Sequence, residues 1–236
     1  MNAVPSSSRL YLRHSLPVRI MHWVNVVAVF VLLMSGLQIF NAHPALYWGL
    51  SSYTGKPPFF ELENGFPGWS TLPGVQWLSM GRRWHFFFAW VLVLNGLAYI
   101  IYSIASGHAR RDLVPARRDW RSIGASIIEH LKFHRPTGEE ATRYNVLQRL
   151  AYLVIIFGVC PFLVLMGLGL SPRLDAAWPA LVDLFGGRQS MRTLHFIAAA
   201  ILVAFVLVHL FEVIVAGAWN EIRSMITGRF RVRDDA

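Results

Sequence analysis

Four stretches of this chain stay apolar for more than twenty residues each, and that narrows its possible folds more than any other feature. They run from about Val18 to Phe40, Trp84 to Ser106, Leu150 to Ser171 and Thr193 to Ala218. Crossing a bilayer as a helix takes ~20 apolar residues. A helix also satisfies its own backbone N–H and C=O groups, which hydrocarbon cannot do. Apart from Arg19 at the edge of the first stretch and Glu212 in the fourth, none carries Asp, Glu, Lys or Arg. The expected fold class is all-α, an integral membrane four-helix bundle forming a single domain over residues 1–236. The 55% hydrophobic and 15% charged content agrees, since soluble domains carry ~25% charged residues. A disordered chain, a disulfide scaffold and a typical cytosolic enzyme are excluded. The first stretch is too long for a signal-peptide core and lacks a small-x-small cleavage site, so it is expected to be retained.

Charge sets the expected orientation, because cytoplasmic loops carry excess Lys and Arg. Arg9, Arg13 and Arg19 precede or open the first span. The second loop and its exit hold Arg110, Arg111, Arg117, Arg118, Arg121, Lys132, Arg135, Arg143 and Arg149. The tail holds Arg223, Arg229, Arg231 and Arg233. The opposite side has only Lys56, Arg82, Arg83, Arg173, Arg188 and Arg192. Both termini are therefore expected in the cytoplasm of a bacterial inner-membrane protein. The net charge of +9 is explained without nucleic acid, which is not an expected partner. The outer loop from Asn41 to Gly81 is rich in Pro, Gly and aromatics and is expected to cap the membrane surface. In the inner loop, Ile123, Ile127, Ile128 and Leu131 share one helical face, which predicts an amphipathic interfacial helix.

An ionisable side chain inside a span is costly and marks function by default. His22 lies at the inner end of the first span, and His85 at the outer end of the second. His195 and His209 both lie in the fourth. Their 14-residue spacing is close to four turns, so both rings project from nearly one face, ~21 Å apart along the axis. The histidines thus sort by leaflet into His22 with His209 and His85 with His195. Haem iron takes two axial ligands, and imidazole is a common one. Two bis-His haems b fit this arrangement. CxxCH is absent, so a covalent c-type haem is excluded. The lone Cys160 cannot form an intramolecular disulfide. Gly36, 14 residues after His22, would let a porphyrin approach closely; Gly96, Gly167 and Gly169 could act likewise or simply allow close helix packing. The i, i+4 pair His130 and His134 lacks further ligands for a metal.

With these residues in view, His22 in PVRIMHWVN, His85 in GRRWHFFFAW, the segment RYNVLQRLAY and the His195/His209 pair resemble one family. It comprises the di-haem, four-helix membrane cytochromes b of bacterial cytochrome b561 and nickel–iron hydrogenase cytochrome subunits. Formate dehydrogenase and thiosulfate reductase cytochrome subunits belong to the same group. The resemblance implies His22 and His209 as ligands of an inner haem and His85 and His195 as ligands of an outer one. It also implies a menaquinone site at RYNVLQR and a molybdopterin or nickel–iron catalytic partner.

Asn145 and Gln148 share a helix face at the inner end of the third span, where they could hydrogen-bond a quinone carbonyl or start the helix. Glu212 could pass a proton to or from that quinone, ubiquinone or menaquinone, or pair with an inner-loop Arg. Arg82, Arg83 and Arg192 beside the outer histidines, and Arg19 beside His22, could hold haem propionates or snorkel to headgroups. No catalytic residue is assigned. The expected function is electron transfer between the quinone pool and a periplasmic oxidoreductase. The alternatives are a stand-alone superoxide:quinone oxidoreductase and a haem-free transporter or anchor.

Overall fold

The computed structural model describes residues 8–53, 55–115, 120, 123, 124 and 145–233. Among the described residues four helices are long and apolar enough to span a membrane: α1 (Leu16–Asn41), α2 (Leu78–Ala105), α3 (Val146–Gly169) and α6 (Arg188–Thr227). Between α3 and α6 lie two short helices, α4 (Pro172–Ala177) and α5 (Pro179–Leu184), each opened by a proline whose missing N–H costs nothing there. Strand β1 (Ser8–Leu12) precedes α1 and β4 (Arg229–Arg233) follows α6. The two-residue strands β2 (Ala45–Leu46) and β3 (Phe60–Glu61) lie in the loop between α1 and α2. The long helices show their apolar side chains outward, as a lipid-facing surface does. Val27, Phe87, Val154 and Ile214, one from each, are all more than half exposed. The chain is a multi-pass membrane protein, all-α in its architecture. The amphipathic helix expected around Ile123–Leu131, with His130 and His134, falls largely outside the described residues.

Two helices are interrupted, for identifiable reasons. Within α3 a π-turn, Ile155–Val159, precedes Cys160–Gly169. Pro161 lacks an N–H and crowds the carbonyl four residues back, and a wider turn accommodates both. In α6, Gly217 has φ 110° and ψ 81°, a conformation that glycine alone adopts cheaply. The helix resumes after it and runs to Thr227, nine residues past the end expected from hydropathy.

The chain divides into two compact units. The terminal unit contains residues 1–23, 97–156 and 204–236. In it, β1 pairs antiparallel with β4, Leu10 opposite Arg231. Arg13 donates to both carboxylate oxygens of Glu221, at 3.0 and 3.1 Å, and lies over the Phe230 ring. The Arg13 and His14 amides both donate to the Gly228 carbonyl. Trp23 Nε1 donates to the Met225 carbonyl, and the Ser15 and Tyr102 hydroxyls bond at 2.8 Å.

The loop unit contains residues 24–96 and 157–203. Its core is Met166, Leu181, Val182 and Met191. The loop after α1 is pinned rather than loose. The Asn41 side chain donates to the Phe66 carbonyl and accepts from its amide. Thr193 donates to the Tyr47 carbonyl, and the Gly49 amide donates to Ser190. Phe40, Phe60 and Phe196 stack beneath it. Trp48, Phe59, Trp69 and Trp77 stay exposed.

Candidate functional site: two histidine pairs

In the terminal unit α1 carries His22 and α6 carries His209, with ring centres 6.4 Å apart. In the loop unit α2 carries His85 and α6 carries His195, with ring centres 6.2 Å apart. A metal–nitrogen bond is about 2 Å and a ring nitrogen lies ~1.1 Å from its ring centre, so two imidazoles either side of one iron sit ~6.3 Å apart. Both pairs have that separation. All four histidines are half-buried.

Neighbouring groups fix how the rings present themselves. His195 Nδ1 lies 2.9 Å from the Leu163 carbonyl. A carbonyl only accepts, so Nδ1 carries the proton and Nε2 keeps its lone pair for a metal. His85 Nδ1 lies 3.1 Å from the Ser35 hydroxyl, which itself donates to the Val31 carbonyl at 2.6 Å. With that proton engaged, Ser35 accepts from His85 and again leaves Nε2 open. Phe205 stacks on His209 with ring planes 14° apart.

Glycines make room for these rings. A Cβ on Gly36 would stand 3.4 Å from His85 Cε1, and one on Gly167 would stand 3.1 Å from His195 Cε1. Gly169 instead packs on Met191, and a Cβ on Gly96 would meet nothing within 4 Å.

The arginines divide. Arg192 donates to the carbonyls of Ala45 and His43, so it braces the loop. Arg82 lies over Phe86, and both Arg82 and Arg83 are exposed. Arg19 Nη1 donates to the Ile226 carbonyl at 2.7 Å, while its Nε is buried without an acceptor. Arg223 has Nε and Nη2 in the same condition. Buried N–H groups on a cation are costly to leave unmade, so both residues suit a carboxylate-bearing group. Hydropathy and charge counting gave no reason to single out Arg223.

Asn145 and Gln148 form a capping box at the start of α3. Asn145 Oδ1 accepts from the Leu147 amide, and Gln148 Oε1 accepts from the Asn145 amide. Their oxygens serve helix initiation, and their amide NH2 groups remain as donors. Glu212 is half-buried. One polar contact escaped the sequence reading: Asn95 Nδ2 donates to Asn25 Oδ1 at 2.7 Å, tying α2 to α1. Two asparagines inside apolar runs were its only signal.

Outside the spans, two histidines are held neutral. Burial, reinforced by Arg13, pushes His14 down to about 4. Burial and then Arg192 hold His43 below the usual histidine range, and its Nδ1 meets the Tyr53 hydroxyl at 3.1 Å.

Residues 13–228 match the family model for prokaryotic cytochrome b561. The chain belongs to that family. A relative from Azospira oryzae, named protein-methionine-sulfoxide reductase subunit YedZ1, is 36% identical over 86% of this chain and 90% of its own. A relative from Cupriavidus necator, named Ni/Fe-hydrogenase B-type cytochrome subunit, is 26% identical over 92% of this chain and 86% of its own. One of the same name from Azotobacter vinelandii is 24% identical over 93% and 88%. No solved structure matches. This cytochrome b561-type protein is a membrane electron-transfer subunit, and its family implies haem b. The residues present fit that group. Among the described residues no three His, Cys, Asp or Glu converge on one point. Two histidines leave a zinc shell incomplete, whereas a porphyrin brings its own equatorial donors.

Proposed function

We propose that this cytochrome b561 is one functional membrane domain holding two haems b, with His22 and His209 ligating one and His85 and His195 the other. The carrying observation is the pair of ring separations, 6.4 and 6.2 Å, each of which would let the two histidines hold one haem between them. Haem supplies one-electron transfer when bound. The protein's part is to orient and tune. Leu163 and Ser35 hold the Nδ1 protons of His195 and His85, which keeps Nε2 available and raises its basicity. Gly36 and Gly167 keep those rings free of side-chain crowding. Arg19 and Arg223 offer guanidinium groups to propionates at the His22/His209 site, and Arg82 and Arg83 do so at the other.

The Lys and Arg bias supports an inner-membrane orientation with both termini cytoplasmic, so that His22 and His209 lie at the inner side. There the amide groups of Asn145 and Gln148 donate to a quinone carbonyl, ubiquinone or menaquinone, and Glu212 exchanges its proton. The outer side, with the pinned aromatic loop, receives a periplasmic oxidoreductase. The relatives' names favour this reading over a stand-alone superoxide:quinone oxidoreductase, because each is named as a subunit. A sulfoxide reductase of the kind named in Azospira oryzae is the partner class best supported by identity.

The test is haem counting. A pyridine haemochrome assay on the pure protein should give close to two haems b. His22→Ala and His85→Ala should each lose one, with different spectral components missing. One haem in the parent, or the same component lost from both variants, would overturn the assignment.

A further inference from the structure

The ribbon formed by β1 and β4 has two unlike faces. Directly opposed residues share a face, and successive residues alternate. Phe230 and Val232 are 6% and 9% exposed, so the β4 half of their face turns to the protein, while Tyr11 and Arg9 opposite them stay exposed. The other face carries Leu10 opposite Arg231 and Leu12 opposite Arg229. Leu10 and Leu12 are 57% and 69% exposed, and both arginines are exposed. Among the described residues, the hydrogen bonds of Arg229 and Arg231 run through the main chain. The Arg229 amide donates to Thr227, and Asn220 bonds both the amide and the carbonyl of Arg231. Glu221 is occupied by Arg13 and does not neutralise them.

The ribbon is tethered to the ends of two spans. Three residues separate Leu12 from α1, a reach of at most about 14 Å across four steps, and Gly228 alone separates α6 from β4. Beyond Gly217, α6 exposes Trp219, Ile222 and Ile226. Their spacing places them on one helical face, and Trp favours the membrane–water boundary.

We propose that the ribbon and the end of α6 form an interfacial platform that selects anionic phospholipid. Arg229 and Arg231 meet headgroup phosphates, for which the guanidinium fork is well shaped. Leu10 and Leu12 enter the acyl boundary beneath them. An acidic protein would use the arginines but would leave the leucines and Trp219 in water. Lipid alone satisfies both kinds of side chain. The proposal requires the four spans but neither the haem ligands nor the quinone site.

The test uses the full, haem-loaded chain with Cys160→Ala and an environment-sensitive dye on Leu12→Cys. The protein is placed in nanodiscs of phosphatidylcholine with increasing phosphatidylglycerol. The dye should shift to the blue as phosphatidylglycerol rises, and salt should oppose the shift. Arg229→Gln with Arg231→Gln should raise the phosphatidylglycerol fraction at half-shift by about fivefold or more, since each surface arginine contributes attraction of that order. Arg110→Gln with Arg111→Gln, removing the same charge elsewhere, should leave it nearly unchanged. Haem content and visible spectrum must match the parent in each variant. Should the double variant fail that check, Arg229→Gln alone must show the same effect at smaller size. A dye that stays in water at every lipid composition overturns the proposal. So does an equal effect of both charge removals. A blue shift produced by poly-glutamate in pure phosphatidylcholine would make the face a protein-docking surface and overturn it as well.

Discussion

Replacing Gly167 by Ala adds one methyl group against the His195 ring. The new Cβ would stand 3.1 Å from Cε1 and 3.3 Å from Nδ1, whereas carbon atoms pack comfortably at ~3.5–4.0 Å. The ring must therefore give way by about 0.4 Å. It has little freedom to do so, because Nδ1 is held by the Leu163 carbonyl at 2.9 Å and Nε2 would be held by iron. Overpacking of this kind costs about 1–3 kcal/mol, which is roughly 5- to 150-fold in haem affinity at that site. Gly36→Ala meets His85 at 3.4 Å, an ordinary contact, and should cost several-fold less. The assay is haem titration into the apoprotein, followed through the α-band component lost in His85→Ala. If Gly167→Ala keeps parental affinity while Gly36→Ala loses haem, the packing argument fails. If Gly167→Ala loses the component that depends on His22, the pairing fails.

Two further outcomes follow from groups outside the spans. Folding holds His14 near pKa 4 against 6.5 in the unfolded chain. The folded state therefore binds fewer protons between these values, and stability present above pH 6.5 is lost as pH falls toward 4. The loss amounts to about 3 kcal/mol; thermal unfolding from pH 7 to 4.5 should show it, and His14→Gln should flatten the dependence. Arg192→Lys replaces the planar fork that bridges two carbonyls by a single ammonium nitrogen on a flexible stem, which holds the pair less well. Chymotrypsin should then cut at exposed Tyr53 several-fold faster with haem content intact, and unchanged cleavage would show that Arg192 does not hold the loop.

Hydropathy located all four spans because lipid imposes a length and a polarity that no neighbour can override. It misplaced their ends where the determinant was something else. The second span starts at Leu78 rather than Trp84, since Arg82 and Arg83 are polar yet good helix formers at an interface. The fourth continues to Thr227 because Gly217 bends the helix and permits it to resume. The 14-residue spacing of His195 and His209 showed which helix would serve both pairs, but not what holds their rings. Leu163 acts through its carbonyl, which no side-chain pattern reveals. Ser35 was indistinguishable from other small residues in a span. The prolines at 172 and 179 stand at the starts of α4 and α5. The alternation in Arg229–Arg233 was also legible, but its partner strand lies at the far end of the chain.

That separation has a consequence for biogenesis. The strand Ser8–Leu12 leaves the ribosome well before the strand it pairs with. The Arg13–Glu221 contact nearby spans 208 residues. At ~5–20 residues per second, translation must run for about 10–40 s before the ribbon can close. During that interval Leu10, Tyr11 and Leu12 have no strand to pair with, while four spans enter the bilayer. Closure of the ribbon thus waits until all four long helices have been made. A product lacking Arg229–Arg233 would leave Ser8–Leu12 with an open β edge, a feature by which quality-control proteases could recognise it.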